Sequence, residues 1–244
     1  IHEGLENDHV IIRPAPGKGE ADFQISSREI SYGEFVYVID KFFGNRPNFQ
    51  FDVLKGPTGN ADFNCFIKRI RKMLAVSPDQ RNRPALVRFQ YAQCFIEAFN
   101  FLEEKKKNER LDSDLALTRM KWRLPTFEEL KYAAFGTTSS QHMVGDKGTE
   151  DEEFEISLLF GNINLNKTKP CGSLLPNSLG VYDIIGNRSE WFAGDNGSKG
   201  YASARHSDLD QNFRERHRFK VSDGGFPAEE ENGFRIVLAP TKEP

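Results

Sequence analysis

The feature that most constrains this chain is a change of hydrophobic period along its length. In the first half, apolar residues recur at helical spacing behind recognisable helix starts. After residue 156 they come as short pieces separated by Gly, Pro and Asn, with little sustained period. Neither an internal repeat nor a low-complexity linker interrupts the 244 residues. The expectation is an extended lead-in over residues 1–20 and one domain over 21–244, with capped helices first and irregular chain after.

In "FQISSREISYGEFVYVIDKFF", Phe23 and Ile25 alternate as in a strand, and Ser31 with Glu34 forms a capping box. Phe35, Val38, Ile39 and Phe42 then fall on one helical face that should meet the core. Residues 43–63 hold Asn and Gly turn-formers among isolated hydrophobes and read as loop with short elements. "PALVRFQYAQCFIEAFNFLEEKKKNERL" reads as a short strand ending near Phe89 and then a helix, with Ala92, Phe95, Ile96, Phe99 and Leu102 as its buried stripe. Cys94 in that helix reads as a small packing residue. "RLPTFEELKYAAFG" carries a second capping box, Thr126 with Glu129, and turns Leu130, Ala133 and Ala134 inward. The run "GTEDEEFE" at 148–155 reads as a solvated acidic loop.

Composition excludes some classes. No stretch approaches the roughly 18 apolar residues of a membrane span. A net charge of -3, from 33 basic and 36 acidic side chains, gives no footprint for nucleic acid or a membrane surface. Twenty-one Phe against three Met point to a core of rigid rings. The three cysteines, Cys65, Cys94 and Cys171, form neither a disulfide framework nor a zinc motif. The chain starts at Ile1 rather than Met, which leads us to expect a processed or truncated product from which any signal or anchor segment would have been lost.

Five pieces occur in an order that resembles a known family. They are "FQISSREISYGEF", "PALVRFQYAQCF", "RLPTFEELKYAA", "KPCGSLLPNSLGVYDIIGNRSEW" and the closing "NGFRIVL". Together they resemble the sulfatase-modifying-factor, or formylglycine-generating-enzyme, family over roughly residues 20–240. That resemblance implies an α+β fold of the irregular C-type-lectin-like kind, with small twisted antiparallel sheets, a few helices and long loops. It also implies that the loop "LGVYDIIGNRSEW" wraps a structural calcium ion, with carboxylates from Asp183 and Glu190 and carbonyls from Gly186 and Arg188. Calcium takes roughly six to eight hard oxygen ligands in irregular geometry, which suits a loop without period. The metal-free alternative is that Asp183 and Glu190 cap the turn through backbone N–H groups. Trp191 would be buried beside the site. A second calcium loop of the family should follow "GNIN" at 161–164, but its acidic ligands are missing from "LNKTK".

The catalytic machinery of the family is a pair of cysteines before the final Gly-Phe-Arg, two soft thiolates that grip Cu(I). The corresponding residues 199–235 contain no cysteine. Cys171 lies upstream, where the family commonly has Val, and suits a buried small hydrophobe. His2, His9, His142, His206 and His217 show no close metal spacing, so neither iron nor zinc is expected. What the resemblance leaves is a binding surface of Tyr201, Arg205, His206, Asp208, Asp210, Arg214, Arg216 and His217. Arginine-rich chain of this kind suits a protein or a polar or anionic ligand, or else merely pairs with acid-rich loops. The wording "GNRSEW" is similar to copies in lipoproteins of gliding and type IX secretion machinery. The expected function is therefore a non-catalytic binding or structural module of an extracytoplasmic assembly, periplasmic or associated with the outer membrane. The alternative is a cysteine-independent oxidase or maturation factor, with His206 or His217 as base and Asp208 or Asp210 as orienting partner.

Overall fold

Two helices start with the same seven-residue device, and it sets much of the architecture. The computed structural model describes residues 9–12, 22–54, 58–110, 120–135, 168–184, 186–193, 199–203, 220–221 and 231–240. Helix α1 (Tyr32–Asn45) begins where Ser31 N donates to Glu34 Oε2 at 2.8 Å and Glu34 N donates to Ser31 Oγ at 3.4 Å. A later helix, Phe127–Phe135, begins where Thr126 N donates to Glu129 Oε2 at 2.7 Å and Glu129 N donates to Thr126 Oγ1 at 3.2 Å. In each case an arginine three residues before the cap forks onto the same glutamate. Arg28 donates to Glu34 at 3.0 and 2.6 Å, and Arg123 to Glu129 at 2.7 and 2.6 Å. The caps are each worth about 1 kcal/mol; the partly exposed forks mainly fix where the glutamate sits.

Both devices follow strands of one sheet. Strands β1 (His9–Ile12), β2 (Phe23–Ser26), β3 (Met120–Arg123) and β8 (Val237–Pro240) pair antiparallel in the order β1-β2-β8-β3. The lead-in therefore supplies a strand, His9–Ile12, opposite Ser26–Phe23. The outer edge of β3 is closed by a side chain, since Trp122 N donates to Asn100 Oδ1 at 3.0 Å and Asn100 Nδ2 donates to Trp122 O at 2.8 Å. The second sheet takes β4 (Glu190–Ala193), β5 (Lys199–Ser203), β6 (Lys220–Val221) and β7 (Gly233–Phe234) in the order β6-β5-β4-β7. One pairing departs from the antiparallel expectation: β4 and β7 run parallel, Glu190 opposite Gly233 and Trp191 opposite Phe234.

Helix α2 (Gly59–Val76) begins inside the segment that the sequence assigns to loop. Its first turn is built from the turn-formers themselves. Asn60 closes on the preceding loop, accepting from Phe51 N at 2.9 Å, and Thr58 makes no side-chain cap, so no capping box announces the helix. Gly59 is needed for close approach: a Cβ there would lie 2.7 Å from Leu54 O. The helix then buries Phe63, Phe66, Ile67, Ile70 and Leu74, at helical spacing. A 3-10 turn (Pro78–Asn82) follows, and residues 84–88 run extended, bridging Ser31 through Pro84 and Asn232 through Val87. Helix α3 (Phe89–Arg110) starts where the expected strand was to end. Its buried side chains include Ala92, Phe95 and Phe99, while Ile96 and Leu102 of the expected stripe are only partly covered. Helix α4 (Phe127–Phe135) buries Leu130, Ala133 and Ala134 as expected.

The phenylalanines make the core. Phe35, wholly buried, stacks on Phe95 at 5.6 Å between ring centroids and meets Phe66 and Phe234 edge-on, joining α1, α2, α3 and β7. Around Phe42 a second group gathers Phe43, Phe49, Phe51 and Phe101. Phe35→Ala should cost about 3–5 kcal/mol in urea unfolding; a loss below about 1 kcal/mol would show that these contacts do not hold the four elements together.

Candidate functional site

Arg235 lies between β7 and β8, where the chain passes from one sheet to the other. Its neighbours tie it to both: Ile30 N donates to Phe234 O at 2.9 Å, and Ser26 N donates to Ile236 O at 2.9 Å. The backbone of this segment is thus fixed, and the Arg235 side chain has no exposure to solvent. Its Nε donates to both carboxylate oxygens of Glu190, at 2.9 and 2.8 Å. Nη1 donates to Ser27 O at 3.0 Å, and Nη2 to Tyr182 O at 2.7 Å. A guanidinium whose three nitrogens all donate is the condition under which burying it is tolerable.

Glu190 opens β4, and the loop leading to it folds against the same guanidinium. Tyr182 N donates to Ser27 O at 2.7 Å, which holds the loop beside the β2–α1 connection. Asp183 (φ 52) and Asn187 (φ 49) take left-handed backbone, with Gly186 (φ 94) between them. Asp and Asn tolerate that region better than other residues with a side chain, so the loop's composition follows from its turns. Asp183 Oδ2 accepts from Gly172 N at 2.5 Å, while its buried Oδ1 has no hydrogen-bond partner. Asn187 accepts from Lys169 N at 2.9 Å and donates to Glu29 Oε2 at 2.7 Å. Glu29 Oε1 is buried without a partner.

Charge is unbalanced here. Glu29, Asp183 and Glu190 are buried carboxyls, and Arg235 is the buried cation among them. Burial pushes all three carboxyls above the ordinary carboxylate range, most strongly Glu29, and their mutual repulsion adds to this at Glu29. Arg235 opposes the rise at each. Desolvation pulls Arg235 down, but the carboxyls around it raise its pKa on balance, so it stays charged. Removing one partner of such a buried pair costs about 3–5 kcal/mol.

Of the loop positions Asp183, Gly186, Arg188 and Glu190, the two carboxyl residues are buried and the other two half-buried, and Trp191 is buried next to Glu190 in the chain. Trp191 Nε1 donates to Val87 O at 2.7 Å. Among the described residues no three His, Cys, Asp or Glu side chains converge as a metal site, so an ion here would need main-chain oxygens as well. The orphaned Asp183 Oδ1 and the excess of buried carboxylate fit a hard cation, while both oxygens of Glu190 already accept from Arg235 Nε. Of the expected binding surface, Tyr201 lies on β5 opposite Trp191. Arg205, His206, Asp208, Asp210, Arg214, Arg216 and His217 lie outside the described residues, as do the acidic run 148–155 and "GNIN".

Cys65 is exposed on α2, Cys94 is buried in α3, and Cys171 is half-buried in a turn where its N–H donates to Asn82 O at 2.6 Å. Burial raises the thiol pKa of Cys94 and Cys171. Sequence reasoning missed Arg235 and Glu29. The available signal for Arg235 was an arginine between Phe234 and Ile236 in an apolar strand, which must find a buried carboxylate.

The sequence profile of the family described as "Sulfatase-modifying factor enzyme 1-like domain" matches residues 5–240. No curated protein matches the chain in sequence. Among solved structures, one titled "Crystal Structure of CarF" is similar at TM-score 0.50 and 18% identity, covering 96% of this chain and 94% of that one. At that identity the likeness speaks for the fold. Among the described residues no helix is long and apolar enough to cross a membrane.

A carboxyl with a raised folded pKa binds more protons folded than unfolded above its ordinary value, so stability falls as pH rises through that window. For Glu29 the window opens at about pH 4.3 and closes at the raised folded value. In EDTA, the unfolding free energy of the wild type minus that of Glu29→Gln should decline as pH rises from 4.5 towards neutrality, roughly 1.4 kcal/mol per unit at most. Parallel profiles would show that Glu29 does not carry this buried charge.

Proposed function

The chain belongs to the sulfatase-modifying factor enzyme 1-like domain family, and on that premise we propose that it keeps the family's scaffold without its copper chemistry. It acts as a binding or structural module of an extracytoplasmic assembly. The observation that carries this is the cysteine-free stretch between Trp191 and Arg235, where the family has its thiol pair. A Cu(I) site needs two thiolates side by side. The cysteines that exist are one exposed on α2, one buried in α3 and one in the turn at 171, and the thiols of Cys94 and Cys171 are held protonated by burial. The arginine- and histidine-rich residues 205–218 follow β5 in the sequence, and on this reading they supply the face for a protein or a polar or anionic ligand. Ser189 before Glu190–Trp191 supports the extracytoplasmic reading through its likeness to secretion-machinery lipoproteins.

Copper loading followed by desalting should leave no stoichiometric copper, and a sulfatase-derived cysteine peptide should yield no formylglycine by mass spectrometry. Retained copper with product formation would reverse the proposal.

We also propose that Asp183, Gly186, Arg188 and Glu190 hold a calcium ion that locks the loop to the sheets. The support is the unpartnered buried Asp183 Oδ1 and the uncompensated carboxylate around Arg235. A ligand bound only to the folded state stabilises it by about 2.7 kcal/mol at a hundredfold excess over Kd, roughly 5–10 °C in a domain of this size. Calcium should therefore raise the Tm of the wild type by that much over EDTA. Asp183→Asn suits the left-handed backbone and keeps an acceptor for Gly172 N, yet should lose the calcium response. A wild-type Tm indifferent to calcium would favour the metal-free turn.

A further inference from the structure

We infer that Glu29, outside the 183–190 loop, sets the charge of the site so that it takes one divalent cation in preference to a monovalent one. The inference rests on the calcium reading and adds a residue to it. Five charged residues are buried among the described residues: Glu29, Glu34, Asp183, Glu190 and Arg235. Glu34 is answered by the Arg28 fork at 3.0 and 2.6 Å. When a bound cation holds all three ionised, Glu29, Asp183 and Glu190 share one guanidinium, which leaves two negative charges without a buried partner, the charge of one divalent ion. Without Glu29 the excess is one charge, which a monovalent ion would answer.

The hydrogen bond to Asn187 makes Glu29 a positioning residue for the loop. Its Oε2 accepts from Asn187 Nδ2 at 2.7 Å, and Asn187 stands in the chain between Gly186 and Arg188, two of the positions proposed to hold the ion. The other oxygen, Oε1, is buried and unpartnered. It lies against Gly233, where an added Cβ would come within 3.0 Å of it. The chain thus keeps a bare backbone at 233 to admit a carboxylate that no hydrogen bond there satisfies. A field acting on the loop accounts for that cost; a packing role would be met as well by an amide.

The test is isothermal titration of the full chain with calcium, in potassium chloride and in choline chloride, for the wild type, Glu29→Gln and Glu29→Asp. Glu29→Gln keeps an acceptor for Asn187 and removes only the charge. It should melt cooperatively, bind calcium about 10–100-fold more weakly and become sensitive to potassium, while Glu29→Asp should keep the preference for calcium. Equal calcium affinity in the wild type and Glu29→Gln overturns the assignment, as does a Glu29→Asp variant that loses selectivity. The Glu29→Asp arm decides the question alone if the glutamine variant does not fold. No calcium binding by the wild type overturns the calcium reading itself, and this inference with it.

Discussion

The buried pair of Arg235 and Glu190 is the contact on which the two sheets depend. Glu190 opens β4 of one sheet, and Arg235 stands between β7 of that sheet and β8 of the other. The guanidinium also donates to the carbonyls of Ser27, in the β2–α1 connection, and of Tyr182, just before the 183–190 loop. Two regions far from Arg235 in sequence, at Ser27 and at 182–190, thus end on one side chain. A buried ion pair adds little net stability over a hydrophobic substitute, but breaking it is expensive. Its value here is positional, since apolar contacts alone would not dictate which turn of an aperiodic loop faces the sheet.

The molecule is held by two kinds of interaction divided along the chain. The helical part is packed by rings, with Phe35 and Phe42 each meeting several others. The later part adds side-chain hydrogen bonds to a second apolar cluster that includes Val181, Ile184 and Phe192, as where Asn177 closes its own turn by accepting from Leu179 N and Val181 N, both at 3.0 Å. Trp191 belongs to both, its Nε1 bonded to Val87 O and its ring edge-on to Phe89 at 5.6 Å. The same polar material that shapes the loop makes it suited to an ion, because oxygens needed for turns remain available as ligands.

Much of the helical half was legible because its signals are local. The capping boxes at Ser31 and Thr126 involve residues three apart and appear as expected. Helix α2 was not legible, because Gly59 and Asn60 look like a turn in sequence and become the first turn of a helix only when Asn60 closes on Phe51. At the site, Asp183 and Glu190 could be named from the loop, but their setting could not. Glu29 reaches the loop across 158 positions and Arg235 reaches Glu190 across 45.

The sequence by itself determined the capped helices, the aromatic core, the family resemblance and the absence of a thiol pair before Arg235. Each of these is a matter of residue identity and short spacing, which chain order preserves. Only the tertiary structure decided that three carboxylates would share one guanidinium and that β7 would run parallel to β4. Both depend on closures between segments far apart in sequence, and electrostatics in a dry interior follows distance in space, which the order of residues does not record.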